Sequence, residues 1–562
     1  MKSKLMKFLM IAVILALVAT ACGDDGDEVA EDGATSLEGT APGSGAATDA
    51  EGDTPTLAAE SEEAMEDSSG IGPSTTIAAG GQALQRDAAA PESAAEGGFF
   101  GSDQDDEASD ASESEDNTFR DYGVRPFIDT DRDPLSTFAL DVDTASYSIA
   151  ERWVESGQVP PVESVRVEEY VNSFDYDYRA PNQGLTVVAD AGPSPYDAGN
   201  VIVRLGVQAE RVAGADRPPA SLTFVVDTSG SMDRQNRLGL VKASLQRLVV
   251  ELDSDDVVSI VTYSDNADIL LPPTSVEDAD AILAAIDGLR TDGSTNLEAG
   301  LQRGYDLANE AFREGGINRV ILASDGVANV GLTDPDALVE LIRGDADRGI
   351  QLVTVGVGMG NFNDVTMEQL ANDGDGFYAY VNDVTEAERL FSDDLTSTLL
   401  TVAIDGKIQV EFDPSTVAQY RLIGFENRAV LDDDFRNDAV DAGELGAGHQ
   451  VTALYELTLQ PDVIAGDRLG TVQLRWEDPD SRTVVESRLE LSGAILTDTW
   501  SATADDFKLA VTVAAFAELL RESPYTGDIS LQQVAEEADA LSPGNGSIEQ
   551  FAELVRSVQG LS

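Results

Sequence analysis

Asp227, Ser229 and Ser231 close an apolar run, Leu222-Thr-Phe-Val-Val-Asp227-Thr-Ser229-Gly-Ser231. Spaced as Asp-x-Ser-x-Ser on a turn between a strand and a helix, they gather one carboxylate and two hydroxyls. All three are oxygen donors, the set a hard divalent cation such as Mg²⁺ takes. Alone the motif is weak, because Ser and Asp are ordinary turn residues. Asp233, just after it, reads as a solvated acidic residue in the first turn of the helix. The only histidine is His449, in a Gly-rich turn, and the only cysteine is Cys22. With no Gly-x-Ser-x-Gly elbow, a Ser-His-Asp triad would have to recruit that one His. Walker-type phosphate loops and Cys/His zinc clusters are absent. Asp129-x-Asp131-x-Asp133 opens like a calcium loop, but Pro134 and Leu140 stand where Gly and Glu are needed. Asp141-x-Asp143 also lacks the Gly. Both pairs read as turn and cap carboxylates.

The elements around the motif alternate. Strand-like runs at Leu222–Val226, Val257–Tyr263, Val320–Ala323, Gln351–Val357 and Phe377–Val381 are separated by helical patterns. Leu238, Val241, Leu245, Leu248 and Leu252 mark one helix face; Leu297, Leu301, Tyr305, Ala308 and Phe312 mark another. Asp334-Pro335 opens a third helix, as cap and first residue. This order predicts a doubly wound α/β domain over residues 220–400 with a mostly parallel sheet. Ligands in such folds bind beyond the carboxyl ends of the strands. Residues 184–210 and 401–495 alternate as half-buried antiparallel strands do. Together they predict one β-sandwich into which the α/β domain is inserted. Residues 120–183 form an N-terminal region with helices near Ala145–Ser156 and Val162–Phe174. Residues 496–562 are a C-terminal helical region.

The first 119 residues are different. Lys2, Lys4 and Lys7 precede an apolar stretch, Phe8–Ala21, which ends in Ala19-Thr-Ala21-Cys22. Residues 1–21 thus have the layout of a signal peptide. The stretch is short of the roughly 20 residues that span a bilayer. Small residues before a lone Cys resemble the bacterial lipobox, with Ala19 where Leu is usual, and imply lipidation at Cys22. Residues 22–119 are acidic and poor in aromatics, with Arg86 the only basic residue between Gly23 and Asn117. Low hydrophobicity and high charge predict a disordered tether. The whole chain of 562 residues carries a formal charge of −69, and 42% of it is hydrophobic. Such acidity disfavours nucleic acid and anionic headgroups as partners. It is also the composition of salt-adapted proteins.

At Asp227–Ser231 the chain resembles the von Willebrand factor type A domain. In that family the motif is completed by a distant Thr and a distant Asp to form a metal-ion-dependent adhesion site. Thr295, in Asp292-Gly-Ser-Thr295-Asn-Leu, and Asp325, in Val320-Ile-Leu-Ala-Ser-Asp325-Gly, match those positions. The resemblance implies Ser229, Ser231 and Thr295 as direct hydroxyl ligands. It implies Asp227 and Asp325 as carboxylates binding directly or through water. The ion would be Mg²⁺, or Mn²⁺ or Ca²⁺, with one position open to an acidic residue of a protein ligand. Phe138–Tyr147, Val165–Tyr178, Tyr420–Arg428, Ala442–His449 and Ala514–Arg521 resemble the flanking blocks of bacterial YfbK-like type A domain lipoproteins. This implies an envelope location, lipid-anchored to the cell membrane on its extracytoplasmic side, but no settled biochemical role. The complete five-residue site favours a binding protein that is not an enzyme. Two alternatives stand beside it: an envelope assembly factor with a dispensable metal site, and an accessory subunit of a metal-dependent complex.

Overall fold

The computed structural model describes residues 117–561 apart from 327–330, 333, 347, 359–361, 394 and 439. Cys22, the apolar stretch before it and the tether up to residue 116 lie outside the described residues.

The chain begins with strands β1 (Ile128–Asp129) and β2 (Leu135–Ala139) and helices α1 (Ala145–Glu155) and α2 (Val167–Asn172). The hairpin β3 (Leu185–Pro193) and β4 (Asn200–Ala209) follows. The α/β domain then runs β5 (Ala220–Asp227), α3 (Arg237–Glu251), β6 (Val257–Tyr263), β7 (Ala267–Ser275), α4 (Ala279–Gly288), α5 (Leu297–Glu310) and β8 (Ile317–Ser324). It continues with α6 (Pro335–Ala346), β9 (Gln351–Val357), α7 (Asp364–Asn372), β10 (Tyr378–Val381), α8 (Val384–Glu388) and α9 (Leu395–Leu399). After it come β11 (Thr401–Phe412), β12 (Val417–Ile423), β13 (Gly443–Gly446), β14 (Gln450–Leu459), β15 (Arg468–Glu477) and β16 (Val484–Ser492). Helices α10 (Asp505–Leu520), α11 (Leu531–Leu541) and α12 (Gly546–Leu561) end the described chain.

The α/β sheet has the order β10-β9-β8-β5-β6-β7. Its strands are parallel except β7, which runs antiparallel to β6 at the edge. β7 was not legible as a strand, because Pro272 and Pro273 interrupt its pattern; an edge position tolerates them. Both faces are buried under helices, which is why the inner strands are apolar throughout. Leu238, Val241, Leu245, Leu248 and Leu252 all enter one core. Leu297, Leu301, Tyr305 and Ala308 enter the other. Phe312 departs from expectation: it lies beyond the end of α5 and is exposed. Asp334 caps α6, its Oδ1 accepting the Ala337 N–H at 3.2 Å.

Strands from both sides of this domain share sheets. β4 pairs with β14 along nine residue pairs, Gln208–Asn200 against Gln450–Thr458, in a sheet ordered β1-β12-β14-β4-β3. The facing sheet runs β13-β11-β15-β16, with β2 also on β11. One apolar core lies between them. The α/β domain is therefore an insertion in a sandwich. Residues 120–183 are not a region apart: β1 and β2 belong to the sandwich. α1 puts Ile149 and Trp153 into the α/β core, and α2 packs with the C-terminal helices. The Gly-rich stretch expected as a turn carries β13, a short strand on β11. Among the described residues no helix is long and apolar enough to cross a membrane.

Candidate metal centre

β5 delivers Asp227 to the carboxyl edge of the sheet. Its register sets Val226 beside Ala323 of β8, so Asp227 and Ser324 end their strands as neighbours. The Ser324 hydroxyl donates to Asp227 Oδ2 at 2.9 Å, and the Tyr263 hydroxyl approaches the same oxygen at 3.4 Å. The Ser229 N–H donates to Asp227 Oδ1 at 2.8 Å, which closes the turn after the strand. This turn brings the Ser229 and Ser231 hydroxyls within 2.9 Å of each other.

Thr295 arrives on the loop before α5. Two backbone bonds lock that loop to the first: Asp292 N–H to Thr228 O at 2.6 Å, and Gly230 N–H to Gly293 O at 3.0 Å. Asn296 caps α5, its Oδ1 accepting the Ala299 N–H at 3.1 Å. Its own N–H donates to Ser264 O at 2.8 Å. α5 lies close on the sheet because Gly300 and Gly304 face it. A Cβ at Gly304 would stand 2.3 Å from Val225, and one at Gly300 2.7 Å from the Tyr263 ring.

Asp325 follows β8 directly and is wholly buried. Its Oδ2 accepts a hydrogen bond from Arg237 Nη1 at 2.7 Å. Arg237 is itself buried and begins α3, where the helix dipole disfavours a cation. The Asp325 carboxylate compensates. Gly358 makes room for this guanidinium, since a Cβ there would fall 2.1 Å from Arg237 Nε.

The structure thus brings Asp227, Ser229, Ser231, Thr295 and Asp325 to one end of the sheet on three loops, and all but Ser231 are buried. The donors fit a hard divalent cation. Asp325 Oδ1 is buried with no hydrogen-bond partner, an acceptor left over by the protein's own groups. Burial, and then the Asp325 charge, push the Asp227 carboxyl up to about 6. An added cation would relieve both. When bound, such an ion supplies an electrophilic centre for an oxygen ligand from outside; the half-buried Ser231 marks the accessible side. Asp233 is exposed, as the solvated reading had it. Sequence reasoning missed Arg237, Tyr263 and Ser324, whose contacts depend on register and on helix placement.

The other singled-out residues do structural work. His449 Nδ1 accepts the Gly446 N–H at 3.0 Å, and its ring stands edge-on to Phe377. Asp141 and Asp143 do more than turn the chain: Arg428 Nη2 bonds both, at 3.1 and 2.8 Å. Asp133 Oδ1 accepts the Leu135 N–H at 3.2 Å, a turn contact.

Three family models match successive stretches of the chain. A family model described as von Willebrand factor type A domain matches residues 221–393. One described as von Willebrand factor matches 113–204, and one described as Uncharacterized protein YfbK, C-terminal, matches 397–561. The protein named Uncharacterized protein YfbK from Escherichia coli (strain K12) is 34% identical over 473 residues, 79% of this chain and 81% of that protein. Human inter-alpha-trypsin inhibitor heavy chain H3 is 26% identical over 197 residues, 33% of this chain and 22% of its own length. A solved structure described as von Willebrand factor type A from Catenulispora acidiphila aligns with 68% of this chain and 91% of its own, at 15% identity and a TM-score of 0.41. On the extent and identity of the Escherichia coli match, the chain belongs to the YfbK family of von Willebrand factor type A domain proteins.

Proposed function

We propose that this chain is a cell-envelope binding protein, anchored by a lipid on Cys22 and facing the extracytoplasmic side. In this reading it captures a protein ligand through Mg²⁺ held by Asp227, Ser229, Ser231, Thr295 and Asp325. The observation that carries the reading is the buried oxygen set with Asp325 Oδ1 left unpartnered. A ligand carboxylate would complete the ion's coordination, because the ion stays electrophilic when the hydroxyls bind it directly and the two carboxylates act through water. The type A domain supports an interaction role. The one His is structurally engaged, its Nδ1 accepting the Gly446 N–H.

The Arg237–Asp325 pair favours a second reading, an assembly factor whose site stands without metal. Crosslinked cells separate the two. Co-purified partners that disappear with chelator and with Thr295→Ala support capture through the metal. Partners retained under both treatments support the assembly role. Labelled fatty acid should enter the wild type and not Cys22→Ser; equal labelling of the two excludes the anchor.

A further inference from the structure

We propose that Asp375, Asp441 and Glu444 form a second divalent-cation site, for Ca²⁺, that fastens the type A domain to the sandwich. Asp375 lies on the turn between α7 and β10, in the type A domain. Asp441 and Glu444 lie just before and within β13, in the sandwich. Each offers one carboxylate oxygen, and the three oxygens lie within 4.8 Å of one another. Oxygens bound to one Ca²⁺ at about 2.4 Å stand no further apart than this.

The Glu444 side chain points to a ligand. Glu444 is only 7% exposed, and its Oε1 has no hydrogen-bond partner. A buried carboxylate oxygen that meets none of the protein's own donors is costly unless a bound cation or water meets it. The neighbouring cations make their hydrogen bonds to other groups, and Arg319 Nη1 and Arg428 Nε have no hydrogen-bond partner. Arg319 bonds Leu399 O at 3.1 Å and Thr401 Oγ1 at 2.9 Å. Arg428 bonds Asp141 and Asp143. Lys407 Nζ donates to the carbonyls of Asn437 and Val440. Asp373 and Asp405 add to the negative field of the cluster.

Three carboxylates suit Ca²⁺ better than Mg²⁺, which keeps most of its water and demands a strict octahedron. Asp441 is exposed, so water can fill the remaining positions and the ion can enter from solvent. The site is distinct from the one at Asp227, and the two can be separated by mutation.

Calorimetric titration of the metal-stripped full chain with Ca²⁺, in an Asp227→Ala background, tests the proposal. One Ca²⁺ should bind per chain at about 0.1–1 mM, as in extracellular calcium modules, and the melting temperature should rise. Glu444→Gln should weaken that binding at least about tenfold. In chelator the same variant should melt above its parent, because it removes the repulsion between Glu444 and the Asp441 and Asp375 carboxylates. Should Glu444→Gln fail to fold, Asp441→Asn changes an exposed side chain and should give the same loss of affinity. No Ca²⁺ binding in the Asp227→Ala protein, or binding unchanged by both substitutions, would overturn the site.

Discussion

Arg237 is the residue that most changes the picture of the candidate metal centre. It neutralises Asp325 in the absence of metal, and it does so from the unfavourable end of α3. Arg237→Ala leaves a buried carboxylate unpaired, which costs about 3–5 kcal/mol of stability. Mg²⁺ should restore much of it. Scanning calorimetry in chelator and in Mg²⁺ should therefore show a larger metal shift for the variant than for the wild type. An equal shift in both would separate Arg237 from the site. His449 sets a different, pH-linked term. Burial, and next the Arg319 charge, hold its imidazole down at about 4, and the bond from Gly446 N–H requires an unprotonated Nδ1. The unfolded chain takes up this proton near pH 6.5, before the folded one does. Stability from this residue is thus full above about pH 6.5 and is lost as the pH falls towards 4. His449→Gln should flatten that part of the stability curve, measured by denaturant midpoint against pH.

The elements around the centre show which parts of it were legible in the sequence. The apolar run ending in Asp227 declares a buried strand with its carboxylate at the edge, and the structure has that strand. Arg237 was not legible, because its partner lies 88 positions away and is set by where α3 lands. Ser324 was visible as a residue but not as a donor, since its bond to Asp227 exists only through the β5–β8 register. β7 and β13 were hidden by Pro and Gly, which edge strands tolerate. The loop before α5 is tied to the first loop by two backbone bonds and to Asp265 Oδ1 by the Ser294 N–H at 3.0 Å. Its last residue, Asn296, caps the helix with Oδ1 and reaches Ser264 O with its N–H. Asn296→Ala should cost about 1 kcal/mol in stability. It should also weaken Mg²⁺ binding by loosening Thr295, which titration calorimetry would detect. Full affinity in the variant would show that the cap plays no part in holding Thr295.

At the scale of the molecule, the insertion matters most. α8 and α9 run from the sheet into β11 with only Leu400 between them and the sandwich. Arg166, beside α2, bonds Asp364 of α7 at 2.7 Å, so the N-terminal segment also grips the type A domain. The type A domain is thus joined to the sandwich by its two chain junctions, β4 to β5 and α9 to β11, and to the N-terminal segment by this ion pair. The alternation of strand-like residues on both sides of residues 220–400 made the insertion legible in advance. The place of β1 and β2 was not, because strands this short carry no periodicity. The net charge of −69 suits a molecule that draws divalent cations to its surface and keeps nucleic acid away.

The most direct test of the account is the thermal response to Mg²⁺ in the Glu444→Gln background, which takes the second acidic cluster out of play. A ligand that binds only the folded state raises the melting temperature. The metal-stripped protein should melt higher in millimolar Mg²⁺, and the added Asp227→Ala should abolish that rise. A rise of equal size with and without Asp227 would contradict the account and remove the metal from this site.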